Sequence, residues 1–141
     1  MSKIAVVYYS STGNTKAMAE AVADGVTSAG ANVDLLTSAE FDASKIENYD
    51  AIAFGCSAMG AEVLEETEFE PMFQECEPNL KGKKIALFGS YGWGDGEWMR
   101  NWEERCKECG VCFTSDFVIC NEFPDDEAIE KCKALGESLT K

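Results

Sequence analysis

At 141 residues the chain is long enough to bury one core and too short for two, and 45% apolar with 27% charged residues is an ordinary balance for a soluble globular domain, residues 1–141 forming one unit. The net charge of −14, with no histidine, argues against nucleic acid and anionic membrane as partners and suits basic proteins instead. Only Lys3 precedes a short apolar run that ends in Tyr and Ser, so no signal peptide or membrane span is readable; a cytoplasmic protein with reduced thiols is expected, and its seven cysteines, an odd number, cannot all pair.

Residues 4–9, Ile-Ala-Val-Val-Tyr-Tyr, form an apolar, β-branched run that predicts a strand covered on both faces. Met18, Ala21, Val22 and Val26 then fall at the spacing of an amphipathic helix over residues 16–26. The join is Ser10, Ser11, Thr12, Gly13, Asn14 and Thr15. A short polar turn at a helix start gathers free amides and hydroxyls at the positive end of the helix dipole, which is an anion site. This loop holds no Lys or Arg, so a phosphate would be held by amides and by the hydroxyls of Ser10, Thr12 and Thr15. A plain helix cap is the alternative, but one cap needs one oxygen. The Gly-Lys-Ser/Thr ending of a P-loop and the three spaced glycines of a dinucleotide fingerprint are both missing.

Gly30 is a natural helix stop, and residues 32–37 predict a second strand. A polar stretch through Ser44 and Asn48 leads to a third strand at 49–56, a loop of Ser57, Ala58, Met59, Gly60, Ala61 and Glu62, and an acidic helix around 68–76. No Lys or Arg lies between Ile46 and Leu80, whereas Glu62, Glu65, Glu66, Glu68, Glu70, Glu75 and Glu77 all do; such a run is either a solvated helix face or a surface for basic partners. A fourth strand at 83–90 runs into Tyr91, Gly92, Trp93 and Gly94, followed by a helix at 97–108, a fifth strand at 111–120 and a closing helix at 126–139 capped by Asp125 or Asp126. Cys106, Cys109 and Cys112 open like an iron–sulfur run, but no Cys-Pro follows, and without His or a second C-x-x-C pair a zinc site lacks its full ligand set, so no metal is expected.

Five strands alternating with helices predict an α/β fold with a parallel sheet and helices on both faces, its ligand beyond the carboxyl ends of the strands. The loops after Tyr9, Cys56 and Ser90 would then converge on one crevice. Their sequences, Ser-Ser-Thr-Gly-Asn-Thr from Ser10, Gly-Cys-Ser-Ala-Met-Gly from Gly55 and Leu-Phe-Gly-Ser-Tyr-Gly-Trp-Gly-Asp-Gly from Leu87, closely resemble those of the flavodoxins, in particular the short-chain clostridial type, and the likeness extends over essentially the whole chain.

That resemblance implies a flavodoxin-like five-stranded sheet of order 2-1-3-4-5, for which flavodoxins are themselves the type example. It implies a tightly bound, non-covalent FMN and a low-potential one-electron carrier, not an enzyme, shuttling mainly between semiquinone and hydroquinone. The cofactor-binding residues it points to are Ser10, Ser11, Thr12, Gly13, Asn14 and Thr15 around the phosphate with Ser57 adding a hydroxyl, Trp93 and Met59 on the two faces of the flavin, and Glu62 accepting from the flavin N3–H. Gly92 and its neighbours Tyr91 and Gly94 would meet the pyrimidine oxygens, and Ser90 and Asn121 the ribityl chain. Ala58, Gly60 and Ala61 complete the set, the Gly60–Ala61 peptide acting as a redox-linked hinge that needs positive φ at Gly60. Partners would be ferredoxin-type reductases and acceptor oxidoreductases docking a monomer through its acidic face. An NAD(P)H-dependent flavin or quinone reductase on the same scaffold needs room over the flavin that Trp93 and Met59 would occupy. A phospho-acceptor domain needs an Asp and a Lys where this chain has Cys56 and Cys120.

Overall fold

The computed structural model describes residues 2–10, 13–58, 64–92 and 94–141. Its strands are β1 (Lys3–Tyr9), β2 (Asn32–Thr37), β3 (Ala51–Cys56), β4 (Lys84–Tyr91), β5 (Cys112–Phe113) and β6 (Val118–Asn121), and its helices are α1 (Asn14–Ser28), α2 (Phe69–Cys76), α3 (Glu97–Glu108) and α4 (Asp126–Ser138). The strands pair in the order β2-β1-β3-β4-β5, with β6 also on β4, and every pairing is parallel. The predicted order therefore holds.

Alternate residues of the central strands face opposite layers, as the period of two requires. Ala5 and Val7 join Ile52, Phe54 and Ile85 under α2 and α3, where Phe69, Phe73, Trp98 and Trp102 fill the core. Ile4, Val6 and Tyr8 join Ala51, Ala53 and Phe88 under α1 and α4. Those last two helices touch backbone to backbone: a Cβ on Gly25 would lie 2.1 Å from the Lys133 carbonyl oxygen, and one on Gly136 2.1 Å from that of Val22. Asp125 caps α4 by accepting from the Ala128 amide at 2.8 Å, so of the two predicted caps it is the one used. No helix among the described residues is long and apolar enough to cross a membrane.

The fifth strand departs from expectation. Residues 111–120 read as one apolar run, but the structure divides them into β5 and β6 with 114–117 between. From Ile85 to Phe88 β4 advances three residues while the opposite position advances five, from Phe113 to Val118, so two residues are looped out. Thr114, Ser115 and Asp116 supply the polar break, and Thr114 still donates its amide to the Ile85 carbonyl at 3.1 Å. The bulge restores the pairing of Ser90 with Cys120 and of Tyr91 with Asn121, which delivers Asn121 and Glu122 to the carboxyl end of β4. The polar stretch before β3 forms two short 3-10 turns, Ser38–Glu40 and Ala43–Asn48.

Candidate functional site

The loops after β1, β3 and β4 meet where the sheet order reverses, since β1 and β3 are neighbours and their connections run to opposite faces. Gly13 sits at the N-cap of α1 with φ 93°, a left-handed conformation that glycine adopts freely, and it brings no side-chain oxygen. Its amide donates to Ser10 Oγ at 3.0 Å, and a Cβ placed there would meet nothing within 4 Å. The first turn of α1 carries no acidic residue. An anion placed there would face amides, hydroxyls and the positive end of a fifteen-residue helix.

Thr15, fully buried, is the hub of the site. Its Oγ1 lies 2.6 Å from Ser57 Oγ and accepts from the Ser90 amide at 3.3 Å, while the Ala58 amide donates to the Ser90 carbonyl at 3.0 Å. Three loops are thereby tied at one hydroxyl. Ser57 lines a cavity of about 110 Å3 together with Asn14, Ala58, Ser90, Tyr91, Gly92 and Glu122, whereas Thr15 does not, so Ser57 is the member of the pair that reaches the cavity. Of the two expected site residues, Ser57 borders the cavity and Thr15 lies behind it, bonded to Ser57.

The second wall is held from β6. Ser90 Oγ donates to the Glu122 carbonyl at 2.5 Å, the Glu122 amide donates to the Tyr91 carbonyl at 2.8 Å, and Asn121 Nδ2 donates to the same carbonyl at 3.2 Å. Glu122 pays for this with φ 61°, a left-handed backbone for a residue with a Cβ. Asn121 therefore holds the loop in place. Gly94 also has positive φ, 87°, on the way to α3. Ser11, Thr12, Met59, Gly60, Ala61, Glu62 and Trp93, all expected site residues, lie outside the described residues.

Two features were missed. Lys16 lines a second cavity of about 530 Å3 with Ser10, Gly13, Tyr9 and Glu68, so a cation stands at the rim of a loop that itself has none. Burial first, then the Glu65 and Glu68 carboxylates, push the Tyr9 phenol above its ordinary value and keep it protonated there. Second, four of the six described carboxylates of the acidic run are engaged within the protein and only Glu66 and Glu75 are exposed. Glu65 is only 5% exposed, Glu68 accepts from Ser38 Oγ, and Glu70 and Glu77 clasp Arg105. The cysteines are dispersed through the core and surface as free thiols; Cys106 is buried, which pushes it up to about 12, and Cys112 is exposed. Among the described residues no group of three or more His, Cys, Asp or Glu is placed to hold a metal.

Thr15→Val keeps the shape and removes the hub hydroxyl. The Ser90 amide then loses its acceptor, a cost of about 1–2 kcal/mol, and Ser57 loses its orienting partner. An FMN titration of the apoprotein is expected to give roughly tenfold weaker binding, equivalent to about 1.4 kcal/mol; unchanged affinity would remove Thr15 from the site.

Comparison with known proteins agrees with this geometry. The family model described as Flavodoxin matches residues 6–136. The flavodoxin of Clostridium beijerinckii is 45% identical over 135 residues, covering 95% of this chain and 96% of that protein. The flavodoxin of Megasphaera elsdenii is 43% identical over 138 residues, covering 98% of each. The solution structure of two-electron reduced Megasphaera elsdenii flavodoxin superposes with a TM-score of 0.89, at 43% identity, over 96% of this chain and 97% of that one.

Proposed function

The chain belongs to the flavodoxin family, and on that footing we propose that it is a cytoplasmic, low-potential carrier that takes up FMN at the Thr15–Ser57–Ser90 junction and passes electrons one at a time between redox proteins. Flavodoxins bind FMN and are electron-transfer proteins rather than enzymes. The observation that carries the assignment to this site is the junction itself: one buried hydroxyl joins the helix N-terminus suited to a phosphate to both loops expected to flank a flavin.

When bound, FMN supplies low-potential one-electron chemistry. The chain's own residues supply the rest. The amides of the α1 N-terminus, Ser10 and Ser57 would hold the phosphate, with Lys16 at the rim as a counter-charge. Ser90, Asn121 and Glu122 fix the course of the Tyr91–Gly92 segment, which would help to hold the flavin. Met59 and Trp93 are assigned to the two ring faces and Glu62 to the N3–H.

Docking to basic partners is assigned to the carboxylates that remain on the surface beside the site, Glu122, Asp125, Asp126 and Glu127, together with Glu66 and Glu75. Phe123, 67% exposed, projects among the first four as an apolar contact. Electrostatic steering of this kind is screened over about 8–10 Å at ordinary ionic strength.

The purified protein is expected to be yellow, and the apoprotein to take up FMN at one per chain. NADPH alone should leave the bound flavin oxidised, and a ferredoxin-type reductase should reduce it at a rate that falls as salt is added. A colourless protein that refuses FMN overturns the assignment. Rapid bleaching by NADPH alone would instead identify a reductase.

A further inference from the structure

The turn from β6 into α4 holds an aromatic ring out in water on a stiff piece of backbone. Phe123 is 67% exposed, against 38% for Leu35, the other large apolar side chain on the surface among the described residues. Its neighbours leave it little freedom. Glu122 before it stands at φ 61°, with its amide on the Tyr91 carbonyl and its own carbonyl accepting from Ser90 Oγ. Pro124 after it is buried and disfavours helical backbone at Phe123, and Asp125 next in line caps α4. A ring fixed in this way loses little conformational freedom when a partner covers it, which is what a binding anchor requires.

The ring borders a cavity of about 300 Å3 together with Tyr91, Ile119, Asn121, Asp125 and Glu127, at the small end of binding cavities and suited to one side chain. Its polar lining is rich in acceptors. Asn121 donates its amide nitrogen to the Tyr91 carbonyl, which leaves its oxygen. Asp125 accepts from the Ala128 amide, and a carboxylate accepts several such bonds. Lys131, the cation at this cavity, is already engaged with Glu127 at 3.3 Å. The group that complements such a lining is a donor-rich cation with a flat face for an aromatic ring. Arginine has both, five N–H donors in a plane that stacks on aromatic faces, whereas the lysine ammonium is a compact, strongly hydrated point charge. Tyr91 also lines the smaller cavity that Ser57 borders, so an occupant here stands one side chain away from the site assigned to the flavin.

We propose that the Phe123 cavity seats an arginine side chain presented by the redox partner, and that it selects arginine over lysine in the docked complex. This rests on the FMN-carrier assignment above and adds a defined anchor to it. Asp125, Asp126 and Glu127, all exposed, attract any basic surface from a distance, and that attraction fades as salt is added. A guanidinium stacked on Phe123 is in contact and partly desolvated, so salt weakens it far less. The carboxylates thus govern how fast a partner arrives, and Phe123 how long it stays.

The test titrates isotopically labelled, FMN-loaded protein with N-acetylargininamide and, separately, with N-acetyllysinamide, which carry the same single charge. The arginine probe is expected to shift the backbone signals of residues 119–128 saturably, with a dissociation constant about threefold below that of the lysine probe. Phe123→Leu, apolar but without a ring, is expected to abolish the preference and Phe123→Trp to restore it, with the FMN dissociation constant unchanged in both. In reduction by a ferredoxin-type reductase, Phe123→Leu is expected to raise KM about fivefold at low and high salt alike with kcat unchanged. Equal affinity for the two amides, shifts spread over the whole acidic surface, or an unchanged KM in Phe123→Leu would overturn the proposal. A wild-type protein that takes up no FMN would sink the carrier assignment and this proposal with it, whereas a yellow protein that binds both amides alike sinks this proposal only.

Discussion

Gly89→Ala is expected to destabilise the protein by about 3 kcal/mol and to weaken FMN binding by more than tenfold. Gly89 lies on β4 beside the last residue of β3, and a Cβ built on it would stand 2.3 Å from the Cys56 carbonyl oxygen and 3.2 Å from Trp98 Cζ2. The first of those neighbours is backbone, and it cannot turn aside as a flexible side chain would. That oxygen already accepts from Trp98 Nε1, and Cys56 and Trp98 are at most 2% exposed, so relief requires moving β3 away from β4 or expelling the indole. Either movement disturbs the Ala58–Ser90 bond directly above it. Urea unfolding and an FMN titration of the same variant check both halves. A cost under about 1 kcal/mol would mean that the strands part easily, and binding would then be spared as well. Gly82→Ala is the control for glycine loss away from the site, since φ is 77° there and nothing lies within 4 Å of the new carbon. Its cost is backbone strain of about 1 kcal/mol with FMN binding unchanged.

The layout of the sheet was legible because its signals are local. The apolar runs at β1, β3 and β4 and the helical spacing of Met18, Ala21, Val22 and Val26 do not depend on anything distant in the chain. The ends of the elements drifted by one or two residues, as fraying ends do. The break in the fifth strand was written in Thr114, Ser115 and Asp116, but three polar residues inside an alternating apolar run also fit the outward face of an edge strand, and only the pairing to β4 separates the two. The hub shows a different limit. Thr15, Ser57 and Ser90 were each expected at the site from the sequence, yet their bonds to one another join positions 42 and 75 residues apart, and no spacing rule reports such a contact. The partners of the acidic run were not legible. Seven carboxylates without a cation look like a solvated face when the cation that pairs with two of them is Arg105, 28 and 35 residues away, and when Glu65 turns inward to cap the helix that follows it.

Arg105→Met is expected to cost about 2–3 kcal/mol at neutral pH, somewhat below the range for fully buried pairs because the three side chains involved remain about a quarter exposed. The guanidinium bridges Glu70, through contacts of 2.7 and 2.6 Å, and Glu77, through contacts of 2.9 and 2.5 Å, with its carbon 5.0 Å from the centroid of the Phe73 ring. It thereby pins α3 to both ends of α2, the helix that Glu65 caps. Methionine can keep the contact with the Phe73 ring, but it leaves two neighbouring carboxylates without a cation in a chain of net charge −14. The pH dependence gives the sign. Hydrogen bonds from Arg105 hold Glu77 below its ordinary 4.5 in the folded state. That stabilisation is therefore fully present above the unfolded value and lost as pH falls through the folded one. The variant lacks it at every pH, so the gap between wild type and variant should be widest near neutrality and narrow as pH drops below 4.5. Chemical denaturation at a series of pH values measures that gap; a difference that stays constant down to acid would show that Arg105 acts through packing and not through its charge. Adding Glu70→Gln and Glu77→Gln to Arg105→Met should recover most of the loss, because the penalty arises from stranded carboxylates more than from the missing bridge.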